Sequence, residues 1–422
     1  MKKRNFDHTI LLLQGGGALG AYQAGAYEGL VEAGLAPDWV VGISIGAINA
    51  ALIVGNPPGR RVERLHEFWE RVSGHAPLIP PPWMSSIRPT LNQMSATASV
   101  MNGVPGFFTP RMPPPPNFNP DGTPPEAMSY YDTEPLKLTL EELVDFDLIN
   151  RQKVRLSLGV VNVSTGKSIY FDNQLTRIGP DHVRASGALP PGFPPVVIEG
   201  EHYWDGGILC NSPMLYVLND LPRVSSLLVQ VDIFMAAGDL PRDMDEVLMR
   251  EKDIRLSSKS MFNTNYIREL LEMRTALMEL LPKLPASLKN DPSVRKLTPL
   301  CEIGDMTIAR LTNRGLSHSG HTKGFDFSRA TVNELWETGL NDVRHSVATI
   351  ASMRARELGS SIRVYEIPPD TSASLADFKI HPEEREEEPE LPPRRSRSVR
   401  PRRPQAVSGR HNGERNRHLA SR

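Results

Sequence analysis

Cysteine is nearly absent from this chain of 422 residues; Cys210 and Cys301 are the two present. Two thiols cannot build a disulfide framework, and their spacing offers no metal knuckle. They read as buried apolar thiols in a reducing compartment. Long hydrophobic runs are missing too. The longest, Val40–Val54, is about 15 residues and is broken by Gly42, Ser44, Gly46 and Asn49, whereas a spanning helix needs roughly 18 or more. Met1-Lys2-Lys3-Arg4 looks like a positive leader, but the apolar run Ile10–Leu13 behind it is far shorter than the ~7–15 residues of a secretory signal. The chain reads as soluble and cytoplasmic. Net charge is also close to absent, at −1, which excludes a dedicated polyanion binder such as a nucleic-acid protein.

That neutrality is an average. Residues 391–422 carry ten Arg against one Glu, a net +9 that leaves −10 on residues 1–390. Proline is in excess, 38 residues or about 9% against a usual ~5%. Much of it falls between 77 and 125, where Pro80-Pro81-Pro82 and Pro113 to Pro116 leave no usable periodicity. This stretch reads as a surface insertion or as a lid, with Trp83, Met84, Phe107 and Phe108 as its greasy residues. From about Pro368 apolar periodicity ends. An acidic block, Glu383–Glu390, precedes Arg394–Arg403 with six Arg in ten residues; such a segment cannot bury enough to fold.

The first half alternates strand and helix signals. Thr9–Leu13, Trp39–Ser44, Val154–Val163, Ser168–Phe171 and Ser225–Ile233 are strand-like, while Ala18–Gly34 and Ile45–Val54 are helix-like. Apolar strands alternating with helices predict an α/β fold with a mainly parallel central sheet flanked by helices. Residues from about Asp239 to Ala355 read as mostly helical. Ile267, Leu270, Leu271, Leu277, Met278, Leu280 and Leu281 fall at helical spacing and predict a core-facing stripe, and a second helix spans about Ser328 to Glu357.

Gly42-Ile43-Ser44-Ile45-Gly46 is a G-x-S-x-G pentapeptide in the strand–turn–helix context that a nucleophile elbow requires. The turn would present Ser44 Oγ at the carboxyl end of the sheet, beside a helix N-terminus that favours negative charge. Gly15-Gly16-Gly17-Ala18-Leu19-Gly20 also follows a strand and opens a helix, and as spelled it fits a dinucleotide fingerprint. That reading needs an acidic residue at the end of the second strand; Asp38 precedes the strand, which runs into Ser44 instead. The loop then serves better as an oxyanion hole made of backbone N–H groups. For the base, spacing leaves His182, His202 and Asp205 open. Asp205 stands in Tyr203-Trp204-Asp205-Gly206-Gly207, a turn signature, and a carboxylate acts as base if its surroundings raise its pKa.

Gly15–Gly20, Gly42–Gly46 and Asp205-Gly206-Gly207, in that order, resemble the three sequence blocks of the patatin-like phospholipase family. Ala185–Pro195 is similar to the family's Ala/Pro-rich segment, and Asn211-Ser212-Pro213 to its Asn-x-Pro. Residues from about Val231 to Arg363, with Phe325–Arg329 and Trp336–Gly339, resemble the C-terminal extension of one bacterial branch. The resemblance implies a three-layer sandwich with a catalytic domain at 1–235, the insertion at 77–125, a mostly helical extension at 236–366 and a disordered tail at 367–422. It implies a lipid acyl hydrolase with a Ser-Asp dyad: Ser44 as nucleophile, Asp205 as proton acceptor, Gly15, Gly16, Gly17 and Gly20 at the oxyanion, Gly42 and Gly46 in the elbow, Gly206 and Gly207 behind the acid. No metal or cofactor is expected, and His318 and His321 read as structural. One departure stands out: where many members carry Arg or Lys in the Gly-rich block, this chain has Ala18-Leu19. A catalytically weak lipid-binding scaffold and a Ser-His-Asp esterase are the competing readings. The partner is a lipid ester; the basic tail adds a weak peripheral hold on anionic membrane, about 1 kcal/mol per basic residue.

Overall fold

The computed structural model describes residues 6–73, 87–115, 122, 124–220, 224–235, 237–301, 306–315, 320–352 and 363–367. The expectations for Trp83, Met84, His318 and the acidic-then-basic tail fall outside these residues, as does the side chain of Cys301.

Among the described residues nine strands make one sheet: β1 (His8–Leu13), β2 (Trp39–Ile43), β5 (Arg155–Asn162), β6 (Ser168–Asp172), β7 (Val196–Ile198), β8 (Glu201–Asp205), β9 (Ser226–Asp232), β10 (Met306–Thr312) and β11 (Arg363–Ile367). Two further strands, β3 (Thr109–Pro110) and β4 (Tyr131–Asp132), form a separate ribbon. The sheet order is β11-β10-β9-β1-β2-β5-β8-β7, with β6 also on β5. From β11 to β5 every pairing is parallel, and β6, β8 and β7 pair antiparallel.

The side-chain alternation of a strand explains why β1 is apolar throughout. Leu11 and Leu13 join the cluster formed with α1 (Gly20–Glu32), α2 (Ile45–Val54), α3 (Arg61–Val72) and α12 (Arg329–Ser352). Ile10 and Leu12 point the other way, to Met214, Val217 and Leu218 of α8 (Met214–Asn219). The helices between are α4 (Arg88–Asn102), α5 (Glu134–Leu143), α6 (Phe146–Asn150), α7 (Pro180–Ser186), α9 (Met244–Leu280), α10 (Ala286–Lys289) and α11 (Pro292–Cys301). The chain is thus an α/β protein with a mostly parallel central sheet between helices.

Four details differ from the sequence reading. The insertion contains a 15-residue helix, α4; its Thr, Ser, Asn and Met residues offer few apolar anchors, so periodicity did not announce it. Phe107 and Phe108 are buried against Phe68, Phe193, Tyr131 and Phe327, so they are core residues rather than a greasy lid surface. The extension adds two parallel strands, β10 and β11, to the sheet's far edge, and α12 packs along α1, where Tyr22 OH donates to Asp342 Oδ2 at 2.6 Å. Finally, the described part of the α9 stripe is not buried in the core: Leu270 and Leu277 are half-buried while Met278 and Leu280 are exposed, and the side chains of Ile267 and Leu271 are outside those described. Helical spacing reports a two-sided helix and says nothing of a partner; here α8 and α11 pack on α9, and Leu256 in its first half reaches the main core.

Candidate active site

The register of β5 brings the Ser and Asp motifs together. β2 pairs with Arg155 to Gly159, its last residue Ile43 opposite Gly159. β8 takes over the same edge of β5, with Asp205 opposite Val160, while β6 holds the other edge. Because β2 runs parallel to β5 and β8 antiparallel, their carboxyl ends meet head to head. Ser44 follows one end and Asp205 closes the other. A separation of 161 residues in sequence thus becomes contact, and the Ser44 hydroxyl hydrogen-bonds the Asp205 carboxylate.

Ser44 has φ 57° and ψ −124° and is the N-cap of α2, a left-handed conformation that costs a non-glycine residue of order 1–3 kcal/mol. The elbow tolerates it because its flanks are stripped of side chains. A Cβ on Gly46 would lie 2.4 Å from Leu13 O and 2.7 Å from Gln14 O, so only glycine lets α2 start this close to the end of β1. The Ser44 N–H donates to Ser186 Oγ at 3.0 Å, and Ser186 Oγ donates to Gly159 O at 2.7 Å. The elbow is thereby tied to the same β5 position that divides β2 from β8.

Asp205 is only 2% exposed. Its Oδ1 accepts from Gly207 N–H at 2.7 Å. Burial pushes its carboxyl up to about 7, against the hydrogen bonds from Ser44 and Gly207 that favour the charged form. A carboxyl that titrates near neutrality and touches a hydroxyl is suited to proton exchange with it.

The Gly-rich loop lies beside Ser44: the Cβ position of Gly15 is 2.8 Å from Ser44 Cβ. Asn211 clamps Gly15 from both sides, donating from Nδ2 to Gly15 O at 2.9 Å and accepting Gly15 N–H on Oδ1 at 3.0 Å. The Gly20 N–H bonds back to Gly17 O and Ala18 O. Of the four glycines expected at the oxyanion, Gly15 and Gly20 therefore have engaged N–H groups and shape the loop. Gly16 and Gly17, partly exposed, have N–H groups without a partner among the described residues. Gly17 has φ +62°, and a Cβ there would stand 2.2 Å from Gly324 O, so the position requires glycine twice over.

The histidines are occupied elsewhere. His182 Nδ1 accepts from Gly179 N–H at 3.0 Å and its ring packs edge-on to Phe171, where burial pushes its pKa down. His202 Nε2 pairs with Glu126 Oε1 at 2.8 Å. Ser186 and Asn211 are the site residues that sequence reasoning did not assign. Both lie in segments singled out for resemblance, but their partners are 142 and 196 positions away. A cavity of about 1160 Å³ opens among Leu19, Asn92, Arg250, Lys323 and Asp326, and neither Ser44 nor Asp205 lines it. Among the described residues no cluster of His, Cys, Asp or Glu could hold a metal ion, and no helix is long and apolar enough to cross a membrane.

The family model described as Patatin-like phospholipase matches residues 11–218, and a second, DUF3734, described as Patatin phospholipase, matches residues 254–357. No curated protein matches the chain. Among solved structures, the crystal structure of VipD from Legionella pneumophila is similar at 17% identity and a TM-score of 0.30, covering 79% of this chain and 67% of that one. The two family models cover both the block that carries Ser44 and Asp205 and the extension behind it, and the chain belongs to the patatin-like phospholipase family, whose activity is lipid acyl hydrolysis.

Proposed function

We propose that the chain hydrolyses lipid acyl esters through a dyad in which Ser44 is the nucleophile and Asp205 the base. The observation that carries this reading is the pairing of Ser44 with a buried carboxyl raised to about 7. Ionised Asp205 takes the Ser44 proton as Oγ attacks the ester carbonyl. The negative charge on the carbonyl oxygen is received by the N–H groups of Gly16 and Gly17. Collapse breaks the bond to the alcohol or lysolipid, and protonated Asp205 returns the proton to that leaving oxygen. Water then attacks the acyl-enzyme, giving a proton to Asp205; collapse breaks the bond to Ser44 Oγ, and Asp205 returns that proton to Oγ, freeing the serine and the fatty acid. No histidine is needed. The occupied ring nitrogens of His182 and His202 speak against the triad alternative.

A fluorophosphonate lipid probe, with the adduct mapped by mass spectrometry, tests the assignment. Label on Ser44 is expected; label on any other residue overturns it. Turnover of p-nitrophenyl esters and phospholipid vesicles separates the rest. Ser44→Ala abolishes turnover and His182→Ala leaves it. Loss with His182→Ala but not with Asp205→Asn would favour a triad. A folded wild type that turns over no acyl ester would favour the scaffold.

A further inference from the structure

The turn at 323–325, from the extension, covers the Gly-rich loop. Gly324 O touches Gly17, and the point where Gly324 would carry a Cβ lies 3.3 Å from Gly16 O and 3.2 Å from Lys252 Nζ. The Lys252 ammonium and the Gly16 carbonyl oxygen therefore lie no more than about 6.5 Å apart, near enough for a charge of low hydration to act on the peptide through space. Lys252 is half-buried on α9, with its Nζ 5.4 Å from the centre of the Phe325 ring. The carboxylate next to it in sequence, Asp253, is taken by Lys323 at 2.6 and 2.9 Å. Among the described residues no carboxylate pairs with Lys252. Burial, then the like charge of Lys323, push Lys252 down to about 8; Arg255 acts in the same direction, while Asp253 and Glu251 oppose it. A cation held there without a pair is costly.

The carbonyl of Gly16 and the N–H of Gly17 belong to one planar trans peptide and point in opposite directions. A cation at the carbonyl end fixes that plane and draws density toward the oxygen, which makes the N–H at the other end a stronger donor. We propose that Lys252 is a positioning residue of the oxyanion loop, its ammonium orienting and polarising the Gly16–Gly17 peptide so that Gly17 N–H meets the developing negative charge. The extension thus supplies a cation to a loop whose own sequence, Ala18-Leu19, has none. This rests on the dyad reading and adds a residue to it.

The test compares wild type, Lys252→Met and Lys252→Arg by kcat and KM on a soluble p-nitrophenyl ester from pH 5.5 to 9.5. It adds inhibition by a trifluoromethyl ketone, whose adduct carries the oxyanion without turnover, and thermal melts. Lys252→Met is expected to lower kcat about 10–100-fold at unchanged KM, less than the ~10²–10³ lost with a direct donor. The ketone should weaken by the same factor, and Lys252→Arg should restore most of both. Lys252 acts only when protonated, so wild-type kcat falls above about pH 8; that fall moves upward in Lys252→Arg and disappears in Lys252→Met. Wild-type kcat and ketone affinity in Lys252→Met overturn the proposal, as does an Arg variant no better than Met. Should Lys252→Met fail to fold, a wild-type kcat that stays level from pH 7.5 to 9.5 overturns it alone. Failure of the parent reading looks different: wild-type turnover that survives in Ser44→Ala, whatever Lys252 does.

Discussion

Two buried aspartates stand on opposite edges of β5 and meet opposite fates. Asp172 ends β6 across from Ser157, and Asp205 ends β8 across from Val160. They are 0% and 2% exposed, and both strands run antiparallel to β5. Around Asp172 the charge is answered: Oδ2 accepts from Arg155 Nε at 2.8 Å, Ser157 Oγ at 2.6 Å and Tyr216 OH at 2.9 Å, and Oδ1 from Gln174 N–H at 2.9 Å. Around Asp205 stand two neutral donors, Ser44 and Gly207, and among the described residues no cation shifts it. Burial is common to both, so burial alone does not make a base. What separates them is compensation: a fully paired carboxylate is a structural anchor, and an under-paired one gains proton affinity near neutral pH.

The comparison breaks most sharply by mutation of the acids. Asp205→Asn is expected to lower kcat by about 10²–10⁴, the range for loss of a positioned general base, and wild-type kcat/KM should rise with pH through about 7 as Asp205 ionises. Steady-state kinetics across pH check both; an acid limb near pH 4 would mean that burial does not raise the Asp205 carboxyl, and an Asp205→Asn variant with wild-type kcat would remove Asp205 from the role. Asp172→Asn should act on stability instead. It leaves Arg155 short of its buried partner, at a cost of about 3–5 kcal/mol, with the lower end expected because Arg155 also reaches Asp220 at the surface. Urea unfolding measures this, and the acid limb of the surviving activity should not move.

Asp205→Asn also carries an opposite sign in stability. The folded-state pKa, about 7, lies above the usual 3.8, so the native state binds the proton more tightly than the unfolded chain. Stability is therefore lost as pH rises from about 4 to 7, by at most about 4 kcal/mol at 1.36 kcal/mol per pKa unit. The Asn variant escapes that loss. It should melt higher than wild type above pH 7, with the gap closing toward pH 4. A variant that melts lower at pH 8 would mean that Asp205 is compensated after all.

The half of this pattern that was legible in sequence is local. Gly42 to Gly46 and Asp205 to Gly207 are runs in which neighbouring backbones must touch, and such demands are written in consecutive residues. Strands β1, β2, β5 and β9 were legible because burial on both faces leaves mostly apolar runs; β6, half-buried, was legible from its aromatic and β-branched residues Ile169, Tyr170 and Phe171. What pairs across the sheet was not. No spacing connects Asp205 to Ser44, Asn211 to Gly15 or Lys252 to Gly16, because each contact depends on β5 register or on where the extension folds back. Met306–Thr312 was missed for a similar reason: it becomes a strand by joining the edge of β9, within a region whose flanks are helical. The stripe on α9 erred the opposite way, since periodicity was present and the core partner was not.

The smallest expected effects come from two serines that repeat the contrast one step from each acid. Ser157 Oγ bridges Trp39 Nε1 at 2.8 Å and Asp172 Oδ2 at 2.6 Å; Ser186 Oγ bridges Ser44 N–H and Gly159 O. Both are buried. Ser157→Ala takes the acceptor from Trp39 Nε1, while Asp172 Oδ2 keeps Arg155 and Tyr216; Ser186→Ala takes the acceptor from Ser44 N–H and a donor from Gly159 O. A buried group left without its partner costs about 1–3 kcal/mol. The loss in Ser157→Ala falls on an anchor, so stability should drop while kcat holds. In Ser186→Ala one of the orphaned groups is the backbone N–H of the strained nucleophile. Its elbow loses the tie that fixes it to Gly159, and a displacement of a few tenths of an ångström at Ser44 weakens the contact with Asp205. A roughly ten-fold fall in kcat, equivalent to about 1.4 kcal/mol, is expected with KM unchanged, and the melt should shift no more than in Ser157→Ala. Equal kcat in the two variants would show that the elbow holds Ser44 without Ser186, and that the division between anchor and base ends at the acids themselves.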